Sequence, residues 1–106
     1  MKRVVITGLG IVSCLGNDRE TVTKSLKEGI SGIRYREDFA EMGLKCNVGA
    51  TLDIDPKEHI DRKIMRFMGP SASYSYIATD RAIADAGLTE EMVSNPRTGL
   101  VMGSGG

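Results

Sequence analysis

The sequence predicts an α/β fold in which helices pack around a mainly parallel central sheet. An apolar run rich in Val and Ile occupies positions 3–13, and a second apolar run occupies positions 98–102. Helical patterns fill the chain between these two predicted strands. Strands that alternate with helices usually join in parallel through right-handed crossovers, so this order favours layers of helix and sheet.

The first strand is followed by a predicted helix from about 18 to 28. Asn17 and Glu20 have the spacing of a capping box. In such a box the Asn oxygen accepts a hydrogen bond from a first-turn amide, and the Glu side chain reaches back to the cap. The sequence therefore predicts that Asn17 begins this helix.

The same helix has a predicted buried face and predicted stop signals. Val22 and Leu26 lie one turn apart on one face, which favours burial of both side chains. Gly29 and Gly32 follow the last helical residues, and glycine is the residue that most readily ends a helix.

The middle of the chain carries weaker signals. Residues 38–42 predict a helical turn ended by Gly43, and residues 46–52 alternate weakly, as an edge strand does. Residues 53–56 predict a turn that contains proline. Residues 60–68 have apolar side chains at helical spacing, which predicts a helix with an inward apolar face.

The clearest helix is predicted from Pro70 to about Ala86, with Gly87 as its cap. Proline suits the first helical position, and the many small residues in this helix predict close packing against neighbouring elements. Residues 89–95 predict a short acidic helical turn before the second strand.

The composition is that of a globular domain without a general charge-driven partner. The chain has 106 residues, 41% of them hydrophobic and 26% charged, and its formal net charge is zero. Zero net charge gives no general attraction to nucleic acid or to an anionic membrane. No secretory leader or membrane-spanning run is present, so Cys14 and Cys46 are expected to be reduced thiols in a cytoplasmic protein.

The first strand also contains a partial dinucleotide-binding pattern. Gly8 and Gly10 fit such a loop, but Ser13 stands where the third glycine is required. The predicted helix begins several residues too late, and Glu28 falls inside that helix instead of at the end of a second strand. The pattern favours glycines that allow close backbone packing, with nucleotide binding as the alternative.

Other residue types of catalytic interest do not form a recognisable site. Ser104 lies near glycines, but Met102 occupies the first glycine position of a nucleophile elbow. Nothing in the spacing of Cys14, Cys46 and His59 indicates a thiol–imidazole pair, and one His with two distant Cys supplies too few ligands for a metal ion. We therefore expect no catalytic residue, cofactor or metal ligand in this chain.

The strongest candidate binding feature is a basic cluster, Arg62, Lys63 and Arg66. Positions three and four apart lie on one face of a helix, where like charges repel each other. A solvated polar face is the simplest interpretation. In a chain of zero net charge, the cluster would also suit an acidic macromolecular partner.

Several segments together resemble the N-terminal part of the β-ketoacyl-acyl carrier protein synthases, the condensing enzymes of fatty acid synthesis. The similarity is collinear over essentially the whole chain, and its Asp-Arg-Lys…Arg-Phe-Met stretch is most similar to the type I members, with type II as the close alternative. The matching segments are residues 3–13 (RVVITGLGIVS), 29–33 (GISGI), 60–68 (IDRKIMRFM), 82–88 (AIADAGL) and 95–106 (NPRTGLVMGSGG).

The resemblance implies a thiolase-like fold, layered α-β-α-β-α, and a homodimer in the complete enzyme. It implies decarboxylative Claisen condensation of an acyl thioester with malonyl-acyl carrier protein, both groups being linked to phosphopantetheine. The family's nucleophilic cysteine and its catalytic histidines would lie beyond residue 106. What carries over to this chain is a carrier-protein docking surface at Arg62, Lys63 and Arg66.

The apolar run and glycine loop at residues 100–106 predict a further element after them. We therefore expect residues 1–106 to be one portion of a longer synthase domain, without an internal boundary. A non-catalytic carrier-binding module and a non-functional fragment are the alternatives.

Overall fold

The computed structural model describes residues 1–104, so the glycine loop predicted at the end of the chain lies partly outside the described residues. Among the regular elements of the described part, helices hold far more residues than the two short strands. In chain order its elements are α1 (Arg19–Lys27), β1 (Ile33–Tyr35), α2 (Glu37–Glu41), β2 (Val48–Ala50), a 3₁₀ turn (Pro56–Glu58), α3 (Arg62–Met65), α4 (Pro70–Ala86) and α5 (Glu90–Val93).

These elements divide between two compact units. The strand-containing unit is residues 12–54 and holds α1, β1, α2 and β2. The α4 unit combines residues 1–11 with the described residues from Asp55 onward.

Helix α1 lies where the sequence predicts a helix, but its cap is Asp18 and not Asn17. The Asp18 Oδ1 accepts a hydrogen bond from the Thr21 backbone N–H at 2.8 Å. The Asn17 side chain instead donates from Nδ2 to the Asp53 carbonyl oxygen at 2.7 Å. Both residue types can cap a helix. Here the Asn17 side chain bonds to Asp53, which is distant in sequence, and Asp18 caps α1 instead.

The buried face of α1 differs from the predicted one. Val22 is buried, whereas Leu26 is 66% exposed. Ser25 is buried in its place and donates from its hydroxyl to the Leu15 carbonyl oxygen at 2.9 Å. A small polar residue therefore occupies the packed position, because its hydroxyl satisfies a nearby carbonyl.

Gly29 ends α1 as predicted. Its φ of 65° lies in the left-handed region, which glycine adopts without steric cost. The Ile30 N–H then reaches back to the Ser25 carbonyl oxygen at 2.9 Å, which is the Schellman arrangement. Helix α2 matches the turn predicted at 38–42 and also ends at the predicted residue, Gly43.

The sheet of the strand-containing unit is antiparallel. β2 falls inside the predicted edge strand at 46–52 and pairs with β1, with Ile33 opposite Ala50 and Tyr35 opposite Val48. The prediction of a mainly parallel sheet is therefore wrong for residues 1–104. The two segments predicted as its main strands, 3–13 and 98–102, pair with no strand there beyond an isolated bridge between Ser13 and Gly16.

Most apolar side chains at residues 4–6 and 100–102 are exposed. Val4 and Val101 are more than nine-tenths exposed, and Ile6 is nearly so. A parallel strand forms only with hydrogen-bonded neighbours and with cover on both faces of its sheet. Among residues 1–104, neither segment has a hydrogen-bonded strand neighbour, so these apolar runs form no sheet there, although residues 8–11 pack against α4.

Helix α4 matches the sequence prediction at both ends. Pro70 occupies its first turn, and Gly87, with a φ of 65°, ends it. Ser73 and Ile77 are its buried residues. Other small residues of the helix are partly or fully exposed, among them Ala84. Within the described residues, close packing therefore covers fewer faces of α4 than the sequence predicts.

One face of α4 lies directly against residues 8–11. A Cβ atom on Gly8 would lie 2.6 Å from the Ala86 backbone nitrogen, and one on Gly10 would collide with the Ala78 carbonyl oxygen. The Asp85 carboxylate accepts from the Leu9 N–H at 3.0 Å on the same face. The structure thus accounts for both glycines by close packing on a helix.

The remaining helices are shorter than their sequence patterns. The pattern at 60–68 yields only the four-residue helix α3, and of its apolar residues Ile60 is buried while Ile64 and Phe67 are exposed. The predicted inward apolar face is therefore only partly formed. Helix α5 lies within the turn predicted at 89–95 and is capped by Thr89.

Candidate functional site

The basic cluster is held by α3. Asp61 caps this helix by accepting from the Lys63 N–H at 2.7 Å, and Arg66 is its C-terminal cap. The side chains of Arg62, Lys63 and Arg66 are all exposed. The local cap therefore fixes the backbone of the cluster while its cations stay in solvent.

In the described part of the chain, the cations of the cluster form no ion pairs with acidic side chains. Over residues 1–104, no ion pair involves Arg62, Lys63 or Arg66. The nearest carboxylate in sequence, Asp61, accepts from a backbone amide. Within residues 1–104, no ion pair therefore neutralises the positive charge of the cluster.

The structure adds a residue that the sequence reasoning missed. Lys57 lines a surface depression together with Arg62 and Arg66, and Ile60 and Met65 supply the apolar part of its lining. The depression has a volume of about 490 Å³. Lys63 is not among its lining residues, so the cluster divides into two cations at the depression and one beside it.

Lys57 reaches this position through the 3₁₀ turn. Asp55 caps the turn by accepting from the Lys57 N–H at 3.0 Å, and Pro56 begins it. The Ile60 N–H donates to the Pro56 carbonyl oxygen at 3.0 Å, which joins the turn to Ile60, an apolar lining residue of the depression. The Asp-Pro pair signals a turn in the sequence, but the sequence does not show which side chains that turn brings to α3.

A second cavity lies at the start of α4 and is mainly apolar. Its volume is about 670 Å³, and its lining residues include Met68, Tyr76, Leu100, Met102 and Ser104. No His, Cys, Asp, Glu, Lys or Arg lines it within the described residues. The lining is therefore mainly apolar, and its side-chain polar groups are hydroxyls, among them that of Tyr76.

The remaining candidates are surface residues. Cys14 and Cys46 are free, exposed thiols of the strand-containing unit, and His59 is an exposed residue of the α4 unit. Among residues 1–104, no group of three or more His, Cys, Asp or Glu residues is placed to hold a metal ion. The described helices also include none with the length and apolar character needed to cross a membrane.

Comparison with known proteins identifies the family. The sequence matches the N-terminal domain of β-ketoacyl synthases over residues 1–106. The chain belongs to the β-ketoacyl synthase family. The resemblance seen in the sequence is thereby confirmed. The family assignment takes the place of the nucleotide-binding alternative.

Curated relatives agree with this assignment. The chain is 54% identical over 105 residues to 3-oxoacyl-[acyl-carrier-protein] synthase 1 of Haemophilus influenzae, covering 99% of this chain and 26% of that protein. It is 47% identical to the synthase 1 of Escherichia coli K12, covering 100% of this chain and 26% of that protein. A synthase 2, from Vibrio harveyi, is 35% identical over 98% of this chain and 25% of its own length.

Two facts follow from these matches. The synthase 1 proteins are more similar to this chain than the Vibrio synthase 2 is, which confirms the resemblance to type I members. The chain spans about a quarter of the length of the curated relatives it matches.

A solved structure supports the fold. A β-ketoacyl synthase from Burkholderia phymatum superposes with a TM-score of 0.73 at 34% identity, covering 86% of this chain and 23% of that one. The expectation that the chain has the α/β fold of this family, present only in part, is thereby confirmed.

Proposed function

We propose that this chain is the N-terminal part of a 3-oxoacyl-[acyl-carrier-protein] synthase of fatty acid synthesis. The observation that carries the proposal is the 54% identity to a synthase 1 over 99% of the chain. The complete enzyme moves an acyl group from a carrier thioester to its own cysteine thiol, which releases the carrier thiol. Malonyl-carrier protein then loses CO₂, and the resulting enolate attacks the enzyme thioester. The products are 3-oxoacyl-carrier protein and the free enzyme thiol.

From the family resemblance we infer that the catalytic cysteine and histidines of that enzyme lie outside residues 1–106. Cys14 and Cys46 are free, exposed thiols, and we infer that neither is the nucleophile. The isolated chain is therefore inactive, because a thioester exchange needs an activated thiolate.

This expectation is tested by incubating the purified 106-residue chain with acyl-carrier protein at neutral pH and reading its intact mass. We expect no acyl adduct. A stoichiometric adduct on Cys14 or Cys46 would place a nucleophile within this chain, and the proposed division of labour would then be wrong.

The contribution of this segment to the reaction is the docking of the carrier protein by the basic cluster. Its support is that Arg62, Lys63 and Arg66 are exposed and without ion-pair partners among residues 1–104. An acidic carrier surface supplies the opposite charge. Rim charges of this kind act mainly on the rate of encounter and on its salt dependence.

The docking role is tested in the complete enzyme with Lys63→Gln and Lys63→Glu. Charge reversal should lower kcat/KM for acyl-carrier protein more than neutralisation does, because repulsion replaces attraction. A small acyl-pantetheine thioester should be affected much less. The difference should shrink with salt, since the screening length falls from about 10 Å at 0.1 M to about 3 Å at 1 M.

Lys45→Glu is the matched control, because Lys45 is an exposed lysine of the strand-containing unit, outside the basic cluster. It makes the same change in net charge and should leave kcat/KM for the carrier substrate nearly unchanged. Equal losses on carrier and pantetheine substrates would assign Lys63 to the fold or to the active site. No loss on either would restore the interpretation of a solvated face.

The wider assignment follows from the same proposal. We infer that residues 1–106, with their two compact units, form one portion of a single synthase domain. We also infer that the complete enzyme is a cytoplasmic homodimer. Its partners are carrier proteins that bear acyl or malonyl groups, with no role for nucleic acid or a membrane. Sedimentation of the complete enzyme checks the dimer, and a monomer at micromolar concentration would contradict it.

A further inference from the structure

We draw no further inference here: the strongest candidate, the exposed apolar face of the β1–β2 pair that carries Ile33, Tyr35 and Val48, supports no proposal because nothing within residues 1–104 shows what covers it.

Discussion

Replacing Gly10 by alanine should separate residues 8–11 from α4. The added methyl group would collide with the Ala78 carbonyl oxygen and lie 2.7 Å from the Ala82 nitrogen. Both atoms belong to the backbone of a helix, so neither can rotate away, and the two segments must move apart. Overpacking of this kind costs typically about 1–3 kcal/mol.

The cost should lie toward the upper end of that range because polar contacts on the same face weaken together. The Leu9 N–H donates to the Asp85 carboxylate at 3.0 Å, and the Arg81 guanidinium donates to the Ile11 carbonyl oxygen at 3.4 Å. We expect a loss of about 2–3 kcal/mol in the local stability of α4. This corresponds to a roughly 30- to 150-fold faster amide exchange in that helix.

Hydrogen exchange of α4 amides in the complete protein measures this effect. Gly99→Ala is the matched control, because a Cβ atom there meets no heavy atom within 4 Å. That change should be neutral or stabilise by about 0.4–1 kcal/mol through the unfolded state. If Gly10→Ala and Gly99→Ala gave the same exchange rates in α4, the close contact between residues 8–11 and this helix would be refuted.

Two further predictions concern the strand-containing unit. Asp18→Ala should destabilise α1 by about 0.5–2 kcal/mol, as loss of a helix cap does, whereas Asp18→Asn should retain most of the stability; urea unfolding distinguishes them, and equal losses would argue against the cap. The hydrogen bond from the Arg36 guanidinium to the Asp38 carboxylate, at 2.7 Å, lowers the pKa of Asp38. Because the folded pKa is below the unfolded one, the stabilisation is present above the unfolded pKa of about 3.9 and is lost as the pH falls through the folded pKa. A carboxyl titration by NMR should show the lowered pKa of Asp38, and Arg36→Gln should return it toward its ordinary value. If the pKa of Asp38 were the same in the variant, the hydrogen bond from Arg36 would not be its cause.

Local signals in the sequence predicted most of the helices. The Pro70 start and the Gly87 end of α4 act on backbone geometry within a single turn, so they are readable without knowledge of the fold. The same holds for Gly29 at the end of α1. The sequence did not decide which residue caps α1, because Asn17 and Asp18 are adjacent and both residue types form caps. The hydrogen bond from Asn17 to Asp53 distinguishes them, and it joins residues distant in sequence.

Burial and strand pairing depended on residues distant in sequence. Helical spacing predicted burial of Leu26, but the carbonyl of Leu15 lies where it favours Ser25. The runs at 3–13 and 98–102 have the composition of strands. A strand is defined by its hydrogen-bonded neighbour, however, and within residues 1–104 only β1 and β2 provide such neighbours for each other.

The candidate site shows the same division. Residue spacing was sufficient to identify Arg62, Lys63 and Arg66, because positions three and four apart share a helix face. Only the tertiary structure shows that Lys57, Ile60 and Met65 line a surface depression together with Arg62 and Arg66. Helix periodicity relates residues within one element, whereas the 3₁₀ turn and α3 are separate elements whose packing decides which side chains meet.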